Sequence, residues 1–204
     1  MSEVHLVRPE DVPGCGASLV RAFQDEMMMV YMFPDPRTRT RVLRRFFRLQ
    51  LQQTAKGRVL AYTTGDCRST ALWIPPRKAP PELRDVIAQL PILFACGRRM
   101  GVVMRLFQTL EARHPKTPHY YLGGLGTDPD WQGRGLGSEV IGPVLTVCDR
   151  DKVPAYLESA ESNAGFYERH GFEVTGEAST PDGSVSLRLM LREPRAEPLE
   201  RDDS

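Results

Sequence analysis

The chain lacks the excesses that would mark it for a special environment. Its 27 Lys and Arg face 26 Asp and Glu, a formal net charge of +1 over 204 residues. That argues against bulk attraction to nucleic acid or to an anionic membrane surface. Long hydrophobic runs are missing too. Met27 to Phe33 is apolar but far short of the roughly 20 residues that cross a bilayer, and no signal-peptide pattern opens the chain. Cysteine is sparse and scattered: Cys15, Cys67, Cys96 and Cys148 form no Cys-x-x-Cys pair, which suits reduced thiols in a cytosol. His5, His114, His119 and His170 show no zinc-ligand spacing. Repeats and low-complexity blocks are absent. The expectation is a soluble, cytoplasmic protein without a metal or a nucleic-acid partner.

What is present is a hydrophobic content of 41%, enough for a sizeable core. Val4 to Arg8 alternates like a short strand. A helix then runs to about Met28, with Leu19, Val20, Phe23, Met27 and Met28 at helical spacing. The methionine-rich run Met27 to Phe33 is either core packing or an adaptable apolar wall for a substrate. A second helix, about Pro36 to Gln53, carries Arg37, Arg39, Arg41, Arg44, Arg45 and Arg48, which read as a solvated basic face. Strands follow over Val59 to Thr63 and Thr70 to Ile74. Helical patterns then occupy Glu82 to Leu90 and about Arg98 to Arg113. No linker divides the chain, so residues 1–191 are expected to form one domain. Residues 192–204 lose apolar content and read as a disordered tail.

The chain is organised around Trp131-Gln132-Gly133-Arg134-Gly135-Leu136-Gly137-Ser138. His119 to Gly126 reads as a strand, and Thr127 to Asp130 as the turn that leaves it. Val140, Ile141, Val144, Leu145 and Cys148 recur with helical spacing beyond it. Pro143 falls off that stripe and should bend the helix. Strand, glycine-rich turn and helix leave free N–H groups at the positive end of a helix dipole, an anion site suited to phosphate. Arg134 can add a charge-assisted contact. The glycines do not match a dinucleotide fold, and Ser138 and Glu139 follow Gly137 where a Walker loop needs Lys and then Ser or Thr.

What remains is Gln/Arg-x-x-Gly-x-Gly/Ala, carried by Gln132, Gly135 and Gly137. This resembles the pyrophosphate loop of the GCN5-related N-acetyltransferase (GNAT) superfamily. A buried strand, Val153 to Ser159, follows the helix. Then come Asn163, Tyr167, Gly171 and Phe172, at the spacing of a second motif of the same superfamily. Gly171 stands where a helix ends in a left-handed residue. Phe172 to Thr175 and Val185 to Leu191 pair as a hairpin across Pro181 to Ser184. From His119 to Thr175 the wording is most similar to the puromycin N-acetyltransferase branch. The amino-terminal half matches only in its order of elements.

The resemblance implies an α/β (α+β) fold: one domain with a mixed, mostly antiparallel sheet flanked by helices, its acetyl-CoA-binding core at about residues 119–175. It implies acetyl-CoA as acyl donor and direct transfer to a small-molecule amine. The rival readings are a protein or peptide amine as acceptor, or a non-catalytic acyl-CoA sensor. Gln132, Gly133, Arg134, Gly135, Leu136, Gly137 and Ser138 would hold the pyrophosphate. Leu125, Gly126 and Thr127 would pair with the pantetheine like an added strand, and one of their N–H groups could polarise the thioester oxygen. Tyr167 would be the general acid for the leaving thiolate, or would simply pack beside Phe166. Asn163 would bond the coenzyme arm or cap a helix. Glu158 is the candidate base or amine-binding carboxylate, a plain ion pair being the alternative. Glu161 is a weaker choice, and a water chain could replace both. Trp131 is expected to pack against the loop. Sequence alone names neither the acceptor nor an oligomeric state.

Overall fold

The computed structural model describes residues 3–76, 90–180 and 182–195. Seven strands form one sheet in the order β1-β2-β3-β4-β5-β7-β6. They are β1 Val4–Leu6, β2 Leu60–Thr64, β3 Ser69–Ile74, β4 Tyr120–Thr127, β5 Ala155–Ala160, β6 Glu173–Ser179 and β7 Ser186–Arg192. Neighbours pair antiparallel except β4 with β5. This is the mixed, mostly antiparallel single-domain fold expected from the sequence. Each of its strands lies within a few residues of the expected stretch.

Alternation along the strands sends side chains to two faces. Ala71, Trp73, Ala155, Leu157 and Met190 form a core on one face with α5 (Leu136–Asp151) and α6 (Glu161–Glu168). The buried stripe of α5 is Leu136, Val140, Ile141, Val144, Leu145 and Cys148, the expected one with Leu136 added, and the helix continues through Pro143. On the opposite face, Ala61 and Leu72 pack with α1 (Val12–Phe23) and α3 (Pro36–Gln52). Beside them, Tyr156, Leu187 and Leu189 pack with α2 (Met27–Met32) and α4 (Met100–Arg113).

Three expectations need correction. The first helix ends at Phe23 rather than Met28, because the Glu26 side chain accepts from the Met29 N–H and caps a separate α2. The arginines of α3 are not one solvated face. Arg39 is buried, donates to the carbonyls of Phe33 (2.8 Å) and Pro34 (3.2 Å), and faces Asp25 at 3.7 Å. Arg192 does not belong to a tail. It ends β7 at 2% exposure, with Nη1 and Nη2 on the two carboxylate oxygens of Asp149 at 2.8 and 2.7 Å. The rest of the expected tail from residue 196, and the expected helix of residues 82–90 apart from Leu90, lie outside the described residues.

Strand β4 contains the feature that positions the site. Leu72 pairs with Gly124 and Trp73 with Leu122, leaving Gly123 as the extra residue of a β-bulge. A bulge bends its strand and increases the local twist. Pairing of β4 with β5 is confined to Tyr120–Ala155 and Tyr121–Tyr156 and ends just before the bulge. Beyond that point the two parallel strands part.

Candidate active site

One end of this opening is the turn from β4 into α5. The Asp128 carboxylate accepts from the Asp130 N–H at 3.1 Å and starts a 3-10 turn over Pro129–Trp131. Arg21 of α1 braces that turn, donating to Asp128 and Asp130 at 2.9 Å each. Gly133 and Gly135 have φ of +75° and +83°, and Gly135 is the N-cap of α5. A Cβ on either would meet nothing within 4 Å. The need for glycine here is therefore conformational, and the space beside the loop is open. The N–H groups of residues 133–137 donate to no acceptor among the described residues, as the first turn of a helix dictates. Ser138, by contrast, donates its N–H to Gly135 at 2.9 Å.

Side chains stiffen the loop. Gln132 Nε2 donates to the Thr127 carbonyl at 3.2 Å. Trp131 packs against Arg134 of the loop and against Arg68: the Arg68 guanidinium lies 3.2 Å and that of Arg134 lies 4.3 Å from its ring centroid. Gly137 is where three elements meet. A Cβ there would stand 3.4 Å from the Phe166 ring of α6 and 3.8 Å from Leu125 of β4. Gly126 and Thr127 end the same strand, and the Thr127 hydroxyl is 2.9 Å from that of Ser69.

Tyr167 follows Phe166 on α6, their ring centroids 5.0 Å apart. It is 9% exposed within the core beneath α5. Its hydroxyl has no hydrogen bond among the described residues. Burial alone pushes the phenol above its ordinary range, so it stays protonated at neutral pH. Gly171 ends this segment at φ +87°, the left-handed conformation expected of it. Asn163 is exposed and stands inside α6, whose N-cap is Ala160. It is not the cap of this helix.

Glu158 stands on β5 just past the point where β4 and β5 part. It shares a sheet face with Tyr156, opposite to the face that buries Leu157 and Tyr167. Its side chain is only 7% exposed. Oε2 accepts from the Tyr121 hydroxyl at 2.6 Å, and Oε1 is 3.0 Å from His114 Nε2. His114 is the C-cap of α4. Its ring lies 4.9 Å from Tyr121 and 4.7 Å from Tyr156 between centroids. The Glu158 carboxylate beside it raises the imidazole above its usual range, against an opposing push from burial. Burial, then the same carboxylate, pushes the phenols of Tyr121 and Tyr156 up. Glu161, by contrast, is exposed and paired with Arg188 on the surface.

The structure thus brings Gly137 of the glycine turn beside Leu125 of β4 and Phe166 of α6, with Tyr167 next to Phe166 in the core of one sheet face and Glu158 on the opposite face. Sequence reasoning missed His114, Tyr121, Tyr156 and Arg68. Tyr156 and Glu158 were legible as same-face neighbours two residues apart. The link to Tyr121 needs the parallel β4–β5 register, and the link to His114 needs the docking of α4.

Comparison with known proteins agrees with this geometry. The acetyltransferase (GNAT) family model matches residues 97–172. An uncharacterized N-acetyltransferase of Schizosaccharomyces pombe is 26% identical over 94% of this chain and 83% of its own length. In structure, the chain is similar to the histone acetyltransferase HPA2 and related acetyltransferase from Corynebacterium glutamicum, with TM-score 0.69 and 23% identity over 98% of this chain and 99% of that one. It is also similar to the ribosomal-protein-S18-alanine N-acetyltransferase from Escherichia coli, with TM-score 0.52 and 16% identity over 98% of each chain. At these identities the structural likeness is one of fold. Fold, family model and curated relative agree in kind: residues 97–172 match the acetyltransferase (GNAT) family model, and the chain as a whole is similar to an N-acetyltransferase.

Proteins of this superfamily generally use acetyl-CoA, and the residues present fit it. The unpartnered N–H groups at residues 133–137 suit a pyrophosphate, and the edge of β4 past Tyr121, unpaired on its β5 side, suits an extended amide-bearing arm.

Proposed function

We propose that the chain transfers the acetyl group of acetyl-CoA directly to the amine of a small molecule. Tyr167 acts as general acid and Glu158 as base. The observation that carries this reading is the opening between β4 and β5. It has the glycine-capped helix start at one end, the protonated Tyr167 phenol on one face and the buried Glu158 carboxylate on the other.

The chemistry follows from those positions. The acceptor enters as an ammonium and loses a proton to Glu158. Its nitrogen bonds to the acetyl carbonyl carbon, and the carbon–sulfur bond breaks as Tyr167 gives its proton to the departing sulfur. The second N–H proton, shed by the nitrogen as the amide forms, restores the Tyr167 phenol. Leu125, Gly126 and Thr127 hold the pantetheine, one of their N–H groups polarising the thioester oxygen. Gln132 to Ser138 hold the pyrophosphate. Asn163, exposed on α6, contacts the coenzyme arm.

Two observations support the finer points. Direct transfer suits a chain whose thiols make poor nucleophiles: burial pushes those of Cys67 and Cys148 up to about 12 and raises that of Cys96, and Cys15 is fully buried. A small acceptor suits the apolar packing of Met28, Met32, Phe33, Val103, Leu106 and Leu110 on the same face as Tyr156. The wording shared with the puromycin N-acetyltransferase branch points the same way. Four free cysteines are in keeping with a cytoplasmic site of action.

The test is free-thiol release from acetyl-CoA in the presence of puromycin, kanamycin, spermidine or trialanine, with Tyr167→Phe alongside. Tyr167-dependent release with a small-molecule amine is the expected result. Release with trialanine alone would turn the reading toward a peptide amine. Calorimetric binding of acetyl-CoA with no release from any amine would favour an acyl-CoA sensor.

A further inference from the structure

Buried carboxylates need a route for the protons they collect. Glu158 is nearly sealed, by Tyr121 on one oxygen and His114 at the other, with the Tyr156 ring closing the side. Tyr121 cannot drain it, since a phenol held far above neutrality stays protonated. Among the described residues, His114 is the imidazole beside Glu158 and it reaches water, its side chain being 22% exposed against 7% for the carboxylate.

We infer that His114 is a positioning residue which conducts the acceptor's proton from Glu158 to solvent. This rests on the acetyl-transfer reading above. The ammonium N–H proton passes to a Glu158 oxygen and frees the amine. The carboxyl proton then moves to Nε2 of neutral His114, and the resulting imidazolium gives a proton to water. No other group changes its bonding.

The pH dependence has a definite sign. Below the His114 pKa the imidazolium already pairs with Glu158, so the relay is blocked; above it, the imidazole can accept. Activity therefore rises with pH through a midpoint above the ordinary histidine value, because the carboxylate stabilises the imidazolium. The charged and titratable groups facing this pair are Glu111 and Arg113 of α4, His119 ahead of β4, Tyr121 of β4 and Tyr156 of β5. None of them has been assigned the same role.

The experiment measures kcat/KM against pH for the amine among puromycin, kanamycin, spermidine and trialanine that releases most thiol. It compares wild type, His114→Gln and His114→Ala with and without added imidazole, and checks each variant by thermal melting. The relay predicts a loss of about tenfold to a hundredfold in His114→Gln. The ascending limb of wild type loses its His114 component in that variant, keeping only what the amine contributes, and imidazole restores rate to folded His114→Ala. Anything the amine's own ionisation contributes is common to all three proteins. A His114→Gln enzyme with wild-type rate and limb overturns the relay and leaves acetyl transfer intact. Folded His114→Ala that imidazole does not rescue overturns it too. Thiol release absent from wild type with every amine overturns acetyl transfer itself, and the relay with it.

Discussion

A methyl group added to Gly126 of β4 would stand 2.8 Å from Cδ2 of Leu19 on α1, a side chain with no exposed surface. The same methyl would lie 3.1 Å from Ala22 Cβ and from the Phe23 ring. Strand and helix therefore touch through a missing side chain, and α1 sits as close to the strand beside the opening as a glycine permits.

Gly126→Ala should push α1 off the sheet and cost about 1–3 kcal/mol through overpacking. Gly124→Ala is the matching control, because its methyl would make only ordinary contacts at 3.7 and 3.8 Å. Denaturant midpoints of the two variants should separate clearly, with Gly124→Ala near wild type. Equal midpoints would mean that α1 moves freely on the sheet.

At the helix start the constraint on glycine is conformational rather than steric. Gly135 has open space around its missing Cβ but a φ of +83°, so Gly135→Ala meets a conformational cost of about 1–2 kcal/mol and no clash. Stability should fall by no more than that. The cap should distort where the proposed pyrophosphate binds, weakening acetyl-CoA by up to about tenfold. Calorimetry on the folded variant checks both parts.

The Arg192–Asp149 pair fastens the end of β7 to α5, and Arg192 also donates to the His170 carbonyl at 3.0 Å. The bond from Arg192 holds the Asp149 carboxyl below its usual range, burial opposing it. A depressed carboxyl pKa contributes stability above the unfolded value and loses it as pH falls through the folded one. Asp149→Asn leaves a guanidinium with little exposure short of its partner, costing about 3 kcal/mol near neutral pH. The difference from wild type should hold from mid-pH upward and close below about pH 4. A gap that persists in acid would assign the loss to packing instead.

Tyr167→Phe keeps the ring contacts with Phe166 and Phe172 and removes only the hydroxyl. Melting temperature should stay near wild type while kcat falls by about 10²–10⁴ if the phenol is the acid. A stability loss with unchanged kcat would make it a packing residue.

Much of this arrangement was legible in the residues. The α5 stripe, the left-handed Gly171 and the glycine turn each follow from local rules of spacing and backbone freedom, so sequence and structure agree on them. What escaped was non-local. Arg39 carries the same charge as its neighbours on α3, and only the carbonyls of Phe33 and Pro34 distinguish it. Arg68 stacks on Trp131 because the start of β3 lies beside the end of β4, a pairing invisible along the chain. His114 follows a helix and precedes a proline, with nothing local to tie it to Glu158. The break between Phe23 and Met27 was missed because apolar spacing continues across it, while the Glu26 cap decides where the second helix begins.

Acetyl-CoA is proposed to lie in the opening between β4 and β5, with its pyrophosphate on the start of α5. Calorimetric titration of acetyl-CoA into wild type and into a folded Gly135→Val variant tests this placement most directly. Saturable one-to-one binding to wild type and loss of most of that affinity in the variant are expected. Absence of binding to folded wild type, or equal affinity in both proteins, would contradict it.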